Sequence, residues 1–348
     1  MRTSLTVLCF IASKLLSAQT FNSPESVEYD AVNNRWLVGN NGAGTIFSCN
    51  PAVSSTLPFA NQIPSGPHGI EILGNVAYCC DGGYIKGFDL NTGAQSFSLN
   101  LSASFLNGLT TDGTNYLFAT DFSAKKIYRI CPANNTFNLM CTTMKTPNGI
   151  IYDGANNRCV FVTWGSNSPI QAMSLADSTI STLATSTYSN SDGITRDPAG
   201  FWYVTCWGNN ALVRWSPTFT TPTVVMTGLS GPADIDINAA GDSIGIPNSN
   251  STTVVYYTSI TTSIAAMEED GFDLFPNPST SSCTVSLKKS KINCKAVLFD
   301  NEGKIVRQFY VTGNSFDIER GALAPGLYLL HVFDEENVLS LQGKIIFK

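Results

Sequence analysis

The sequence predicts an all-β protein: a six-bladed β-propeller followed by a small C-terminal Ig-like β-sandwich. Three observations carry this prediction. A short phrase recurs six times with a period of about 40 residues, the interval at which propellers repeat their four-stranded blades. Each repeat holds apolar or alternating runs of strand length, punctuated by Gly, Asn and Asp. Beyond residue 271 the phrase is gone, and a different set of alternating runs with Gly-bearing turns begins, as a small antiparallel sandwich requires.

The phrase reads Pro24-Glu-Ser-Val, Pro67-His-Gly-Ile, Leu106-Asn-Gly-Leu, Pro147-Asn-Gly-Ile, Ser191-Asp-Gly-Ile and Pro232-Ala-Asp-Ile. It opens the innermost strand of each blade, so those strands are expected to start near Val27, Ile70, Leu109, Ile150, Ile194 and Ile235. A turn follows, as at Asp153-Gly-Ala-Asn-Asn, then an apolar second strand such as Val160-Phe-Val or Trp202-Tyr-Val. The third strand alternates, as in Lys126-Ile-Tyr-Arg-Ile. The sixth repeat has no obvious outer strand after Tyr257, and residues near Gln19–Phe21 are expected to complete that blade and close the ring.

Composition narrows the function. Only 13% of residues are charged and the net charge is −6. There is no basic run, which argues against nucleic acid and anionic membrane surfaces as partners. Residues 1–18 read as a signal peptide: Arg2, an apolar stretch from Leu5 to Leu16 interrupted by Lys14, then Ser17-Ala18 before Gln19. The segment is too short for a stable anchor and no later stretch would span a bilayer, so no transmembrane segment is expected in the mature protein. Of ten cysteines, Cys9 leaves with the signal and nine remain, an odd number. They fit no zinc spacing and lie mostly in apolar runs, where Cys is a small buried hydrophobe. The expected domains are 1–18 signal peptide, 19–265 propeller, 266–271 linker and 272–348 C-terminal domain.

The repeats resemble the six-bladed propellers of the NHL, SMP-30/gluconolactonase and strictosidine-synthase-like group over roughly residues 19–262. The carriers are the Pro-Asn-Gly-Ile phrase and the turn Asp. The C-terminal part resembles the type A sorting domain of the type IX secretion system of Bacteroidetes. Its carriers, in order, are Pro276-Asn-Pro278, Gly303-Lys304, Gly326-Leu-Tyr328 and the basic apolar tail Gly343-Lys-Ile-Ile-Phe-Lys348. That likeness implies passage through the periplasm, engagement of the type IX machinery, removal of this domain around Ile264–Gly271, and an address at the outer-membrane surface or in the medium.

The second residue of each phrase is expected to face the mouth of the central channel: Glu25, His68, Asn107, Asn148, Asp192 and Ala233. The loop between second and third strands adds Asp121, Trp164 and Trp207 to the same face. Two readings of the phrase stand side by side. Asn-Gly and Asp-Gly are favoured turn pairs because they tolerate positive φ, with no ligand needed. Alternatively, two carboxylates and two amide oxygens converging on one axis suit a hard divalent cation, calcium first. The SMP-30 likeness implies a metal at Glu25, Asn148 and Asp192, with Asn107 as a substrate contact. Two departures weaken that likeness: Pro precedes Glu25 where those enzymes place the Glu first, and no Arg stands beside Asn107. The leading expectation is an exported propeller that binds a small-molecule, glycan or protein ligand through its channel face, with His68, Asn107, Asp121, Trp164 and Trp207 as ligand contacts. The alternative is a metal-dependent lactonase- or esterase-like hydrolase of the SMP-30 type, in which the metal would polarise a carbonyl or acidify a water.

Overall fold

A computed structural model describes residues 21–50, 55–258, 272–300, 304–333 and 339–348. The signal peptide, the linker, Gln19, Thr20, Gly303 and the expected cleavage region lie outside the described residues. The chain divides into two compact units between Ser259 and Ile260.

The first unit is a ring of six antiparallel sheets, each a simple meander in which consecutive strands pair. The innermost strands are Pro24–Asp30, His68–Leu73, Leu106–Thr111, Thr146–Asp153, Ser191–Arg196 and Asp236–Ile237. Five begin two to four residues before the expected positions, because the phrase itself is already strand. Five blades have four strands and the sixth has three among the described residues. Phe21 is buried without being in a strand, and its ring meets that of Phe47 at 5.9 Å. It joins a cluster with Val27, Trp36, Val254 and Tyr256, so the seam between the first and sixth blades is sealed by apolar side chains. Backbone bonds also cross it: the Asp234 N–H donates to the Glu25 carbonyl at 2.9 Å.

The structure corrects the turn reading of the phrase. Gly69, Gly108, Gly149 and Gly193 lie within innermost strands and none has a positive φ. Their need is closeness. A Cβ on Gly69, Gly108 or Gly149 would sit 2.3, 2.4 or 2.3 Å from the carbonyl oxygen of Asn107, Asn148 or Asp192 in the next blade. At these four positions the innermost strands approach the next blade so nearly that only a hydrogen side chain fits. Pairing with the second strand slips at the same place, between Pro147 and Ile150 and between Ser191 and Ile194. Such a bulge re-aims the side chain it carries.

Buried threonines tie neighbouring phrases together. Thr120 Oγ1 accepts from the Gly108 N–H at 2.9 Å and donates to the Asn148 carbonyl at 2.8 Å. Thr205 does the same for the Gly193 N–H (2.7 Å) and the Ala233 carbonyl (2.8 Å). All nine described cysteines are free thiols, and seven are buried. Burial pushes the Cys49 thiol up to about 12, which fits packing residues better than reactive ones. Among the described residues, no helix is long and apolar enough to cross a membrane.

The second unit is a five-stranded antiparallel sheet. Two long strands, Ser282–Phe299 and Ile305–Glu319, pair along their length and shift register between Ser286 and Cys294. Ser282–Phe299 pairs with Phe272–Phe275 along its first part and with Gly326–Phe333 along its last. Those bends let the sheet enclose one core of Cys283, Val285, Leu298, Val311, Leu330 and Phe347. Asn277 of the Pro-Asn-Pro run holds the final strand at both groups: its Nδ2 donates to the Lys344 carbonyl at 2.6 Å and its Oδ1 accepts from the Ile346 N–H at 2.9 Å.

Candidate functional site: the channel mouth

Each bulge aims the second phrase residue inward, and these side chains are buried: Glu25, His68, Asn107, Asn148 and Asp192, with Ala233 closing the ring. Five of them leave polar atoms with no hydrogen-bond partner: Glu25 Oε2, His68 Nδ1, Asn107 Oδ1, Asn148 Oδ1 and Asp192 Oδ1. A buried polar atom without a partner costs about 1–3 kcal/mol, so five around one axis are poorly explained by folding alone. Asn148 Nδ2 donates to the Ser191 carbonyl at 3.2 Å and lies beside the Asp192 carboxyl.

The electrostatics are those of a floor short of positive charge. Burial pushes the Glu25 carboxyl well above the usual carboxylate range, and the Asp192 and Asp234 charges push it further. Burial likewise raises Asp192 to about 7, against the opposing pull of Asn148 and Trp207 beside it. Burial lowers His68 to about 4 despite the Asp81 charge, so its ring is neutral at neutral pH. The SMP-30 likeness implies a divalent cation here, and the donor chemistry fits it: Glu25, Asn148 and Asp192 each present a free, buried, hard oxygen. Among the described residues no three His, Cys, Asp or Glu side chains gather to hold a metal, so a cation held here would depend on amide oxygens as well.

The loop residues divide. Trp164 and Trp207 are half-buried at the mouth, with ring centroids 5.6 Å apart and nearly edge-to-face, and Trp207 lies beside the Asp192 carboxyl. Asp121 is fully buried, and its oxygens accept the N–H groups of Ser104 (2.7 Å), Phe105 (3.1 Å) and Ala124 (2.9 Å). It shapes the loop that carries Phe105. Asn40, Asp81 and Asn248 take loop N–H groups in the same way in other blades. The residue in the third blade that matches Trp164 and Trp207 is therefore Phe122, one position beyond Asp121. Aligning the three blades by their second strands would have found it.

Three residues further along the innermost strands lies a second cavity of about 230 Å³, lined by Glu28, Glu71, Thr110, Tyr152, Thr195 and Asp236 among others. Its acids have structural work. Glu28 Oε1 accepts the Ile72 N–H at 3.2 Å and Asp236 Oδ2 the Tyr29 N–H at 2.8 Å, each across a blade boundary. Burial raises Asp236 to about 6.

Comparison with known proteins agrees with the architecture. A gluconolactonase from Xanthomonas campestris superposes with a TM-score of 0.59 at 11% identity, covering 69% of this chain and 86% of that one. A streptogramin B lyase gives 0.52 at 18% identity, covering 66% and 77%. A chain of the nidogen/laminin complex gives 0.53 at 16% identity, covering 62% and 94%. Identities this low establish the propeller fold and nothing finer. No curated protein matches the sequence. The family model described as the secretion system C-terminal sorting domain matches residues 273–348. The second unit is thus a type IX secretion sorting domain, and the chain is an exported protein that carries a six-bladed β-propeller to the cell surface or beyond it.

Proposed function

We propose that the exported propeller binds a ligand through the upper mouth of its channel, over a floor of Glu25, Asn148 and Asp192 that holds a divalent cation, calcium by preference. The observation that carries this reading is the ring of five buried polar atoms without partners. Burial raises both Glu25 and Asp192, the neighbouring Asp192 and Asp234 charges raise Glu25 further, and a cation on the floor would oppose those shifts. When bound, the cation would supply Lewis acidity towards an oxygen of the ligand. The protein's own part is to exclude water from the floor and to hold the ligand against the rim. Burial keeps His68 neutral at neutral pH, so it adds no charge to the mouth.

Hydrolysis of a lactone or ester is the second reading, and it uses the same floor. It is favoured by the neutral His68 beside that floor, a group able to exchange a proton with a water or leaving oxygen. Calorimetry with calcium, zinc and manganese tests the first reading. Saturable calcium binding that Asp192→Asn abolishes is the expected result, and no heat at millimolar metal would remove the cation and the hydrolase together. Turnover of a simple lactone only in the presence of metal would promote the second reading over the first.

A further inference from the structure

The fifth residue of each phrase faces the second cavity. Reading round the ring gives Glu28, Glu71, Thr110, Ile151, Thr195 and Asp236, all of which line it. In three blades this side chain accepts a backbone N–H from the next blade. Asp236 Oδ2 takes the Tyr29 N–H at 2.8 Å, Glu28 Oε1 the Ile72 N–H at 3.2 Å and Thr110 Oγ1 the Tyr152 N–H at 3.1 Å. Thr110 shows that a hydroxyl suffices for this tie. The sixth, first and second blades nevertheless carry acids, and among the described residues that line the cavity there is no Lys, Arg or His. The sixth and first blades meet where the ring closes, and Tyr29 and Asp236 are 207 residues apart in sequence.

At that seam the carboxyls of Asp236 and Glu28 are hydrogen-bonded to each other. Two carboxylates can only accept, so the contact needs a proton. The remaining bonds say where it sits. Asp236 accepts the N–H groups of Tyr29 and Ile237, as an ionised carboxylate does. Glu28 then donates through its O–H while its carbonyl oxygen receives the Ile72 N–H. We infer that the sixth blade is latched to the first by one shared proton, donated by Glu28 to Asp236, and that the seam loosens when this proton leaves. The charged groups facing the pair are Glu71 from the second blade and Asp234 from the sixth, and Tyr152 of the fourth lines the same cavity. His68 shares the strand of Glu71 but stands at its mouth end. The cations on adjoining strands are committed elsewhere, Arg35 to Asp30 at 2.8 Å and Arg196 to Asp153 at 3.4 Å. No positive charge is thus at hand to replace the proton. Burial raises both carboxyls, and the Glu71 and Asp236 charges raise Glu28 further. Both folded values lie above the unfolded ones. The stability carried by the proton is therefore complete below the ordinary carboxylate range and is lost as pH rises through the raised value of Glu28. That loss falls above about 6, where Asp236 ionises. The latch needs neither a cation nor a ligand at the mouth, and it makes closure of the ring respond to the acidity outside the cell.

Thermal melts and amide hydrogen exchange on the full chain in EDTA, from pH 6 to pH 9, test the latch. Glu28→Gln keeps the carbonyl for Ile72 and gives Asp236 a permanent N–H donor. Its melting temperature should fall less over this range than that of the wild type, and the Asp192 contribution, common to both, cancels in the comparison. Exchange in residues 26–30, corrected for the intrinsic rate at each pH, should be at least about tenfold faster in the wild type than in Glu28→Gln at pH 9, and equal in the two at pH 6. Residues 148–152, across the ring in the fourth blade, should exchange alike in both. Asp236→Asn is the second variant: its amide donates to the Glu28 carboxylate and should flatten the same profile. Parallel profiles for the wild type and both variants would overturn the inference, as would a difference spread evenly over all six blades.

Discussion

Asp192 links the bulged strand to the pH behaviour of the whole ring. Its pKa rises from 3.8 to about 7 on folding, chiefly through burial. Between those values the folded protein holds a proton that the unfolded chain has released. Stability from this group is therefore highest below about pH 4, falls as pH rises to about 7, and stays at its lower level above that. Each unit of the shift corresponds to about 1.4 kcal/mol. The metal-free protein should melt at a higher temperature at pH 5 than at pH 8, and Asp192→Asn should flatten the upper part of that slope. Equal slopes in the two proteins would contradict the burial described for this carboxyl. If the proposed cation site forms, calcium should raise the melting temperature at pH 8, since the unfolded chain would lack that site. Gly149 gives a test free of charge. With a Cβ forced to 2.3 Å from the Asp192 carbonyl, Gly149→Ala should cost at least about 2 kcal/mol in urea unfolding. Gly113 has a φ of 75° and open space around it, so Gly113→Ala should cost only about 1 kcal/mol.

At the scale of the strand, the threonine clasp is what keeps adjacent phrases in register. Thr205→Val removes both the acceptor for the Gly193 N–H and the donor for the Ala233 carbonyl, in a site closed to water. The expected loss is about 1–3 kcal/mol, with Thr205→Ser recovering most of it, read from chemical denaturation midpoints. This clasp also marks the limit of what the chain revealed by itself. The six-fold phrase announced the blades, because period and turn residues are local properties. The reason for its glycines was hidden: Gly108 and Gly149 look like turn residues in one dimension, and only the approach of the neighbouring blade shows them to be contact residues. Asp121 was misplaced for a related cause. A carboxylate near a mouth attracts a functional reading, and its three backbone N–H partners come from segments distant in sequence and from its own turn. That Glu25, Asn148 and Asp192 occupy corresponding places in their blades was legible because a period carries one residue of every blade to the same height on the channel axis. Phe105 was out of reach of that logic, since it sits before the phrase and joins the rim only through the loop that Asp121 holds.

At the scale of the molecule, two units serve two tasks. The propeller presents its mouth, and the sorting domain carries it out of the cell. In that domain Asn277 fixes the terminal strand to the start of the fold, so the last residues are presented as part of a structured sheet. A chain lacking residues 272–348 should accumulate in the periplasm, checked by fractionation; normal amounts of it in the medium would contradict the sorting role. The propeller's task turns on whether the floor at its mouth takes a cation. The most direct measurement is a crystal structure of the protein grown in calcium. The expected result is an ion on the channel axis bound by oxygens of Glu25, Asn148 and Asp192 at about 2.3–2.6 Å. A mouth that holds only water at saturating calcium, with Glu25 and Asp192 hydrogen-bonded to each other, would contradict it.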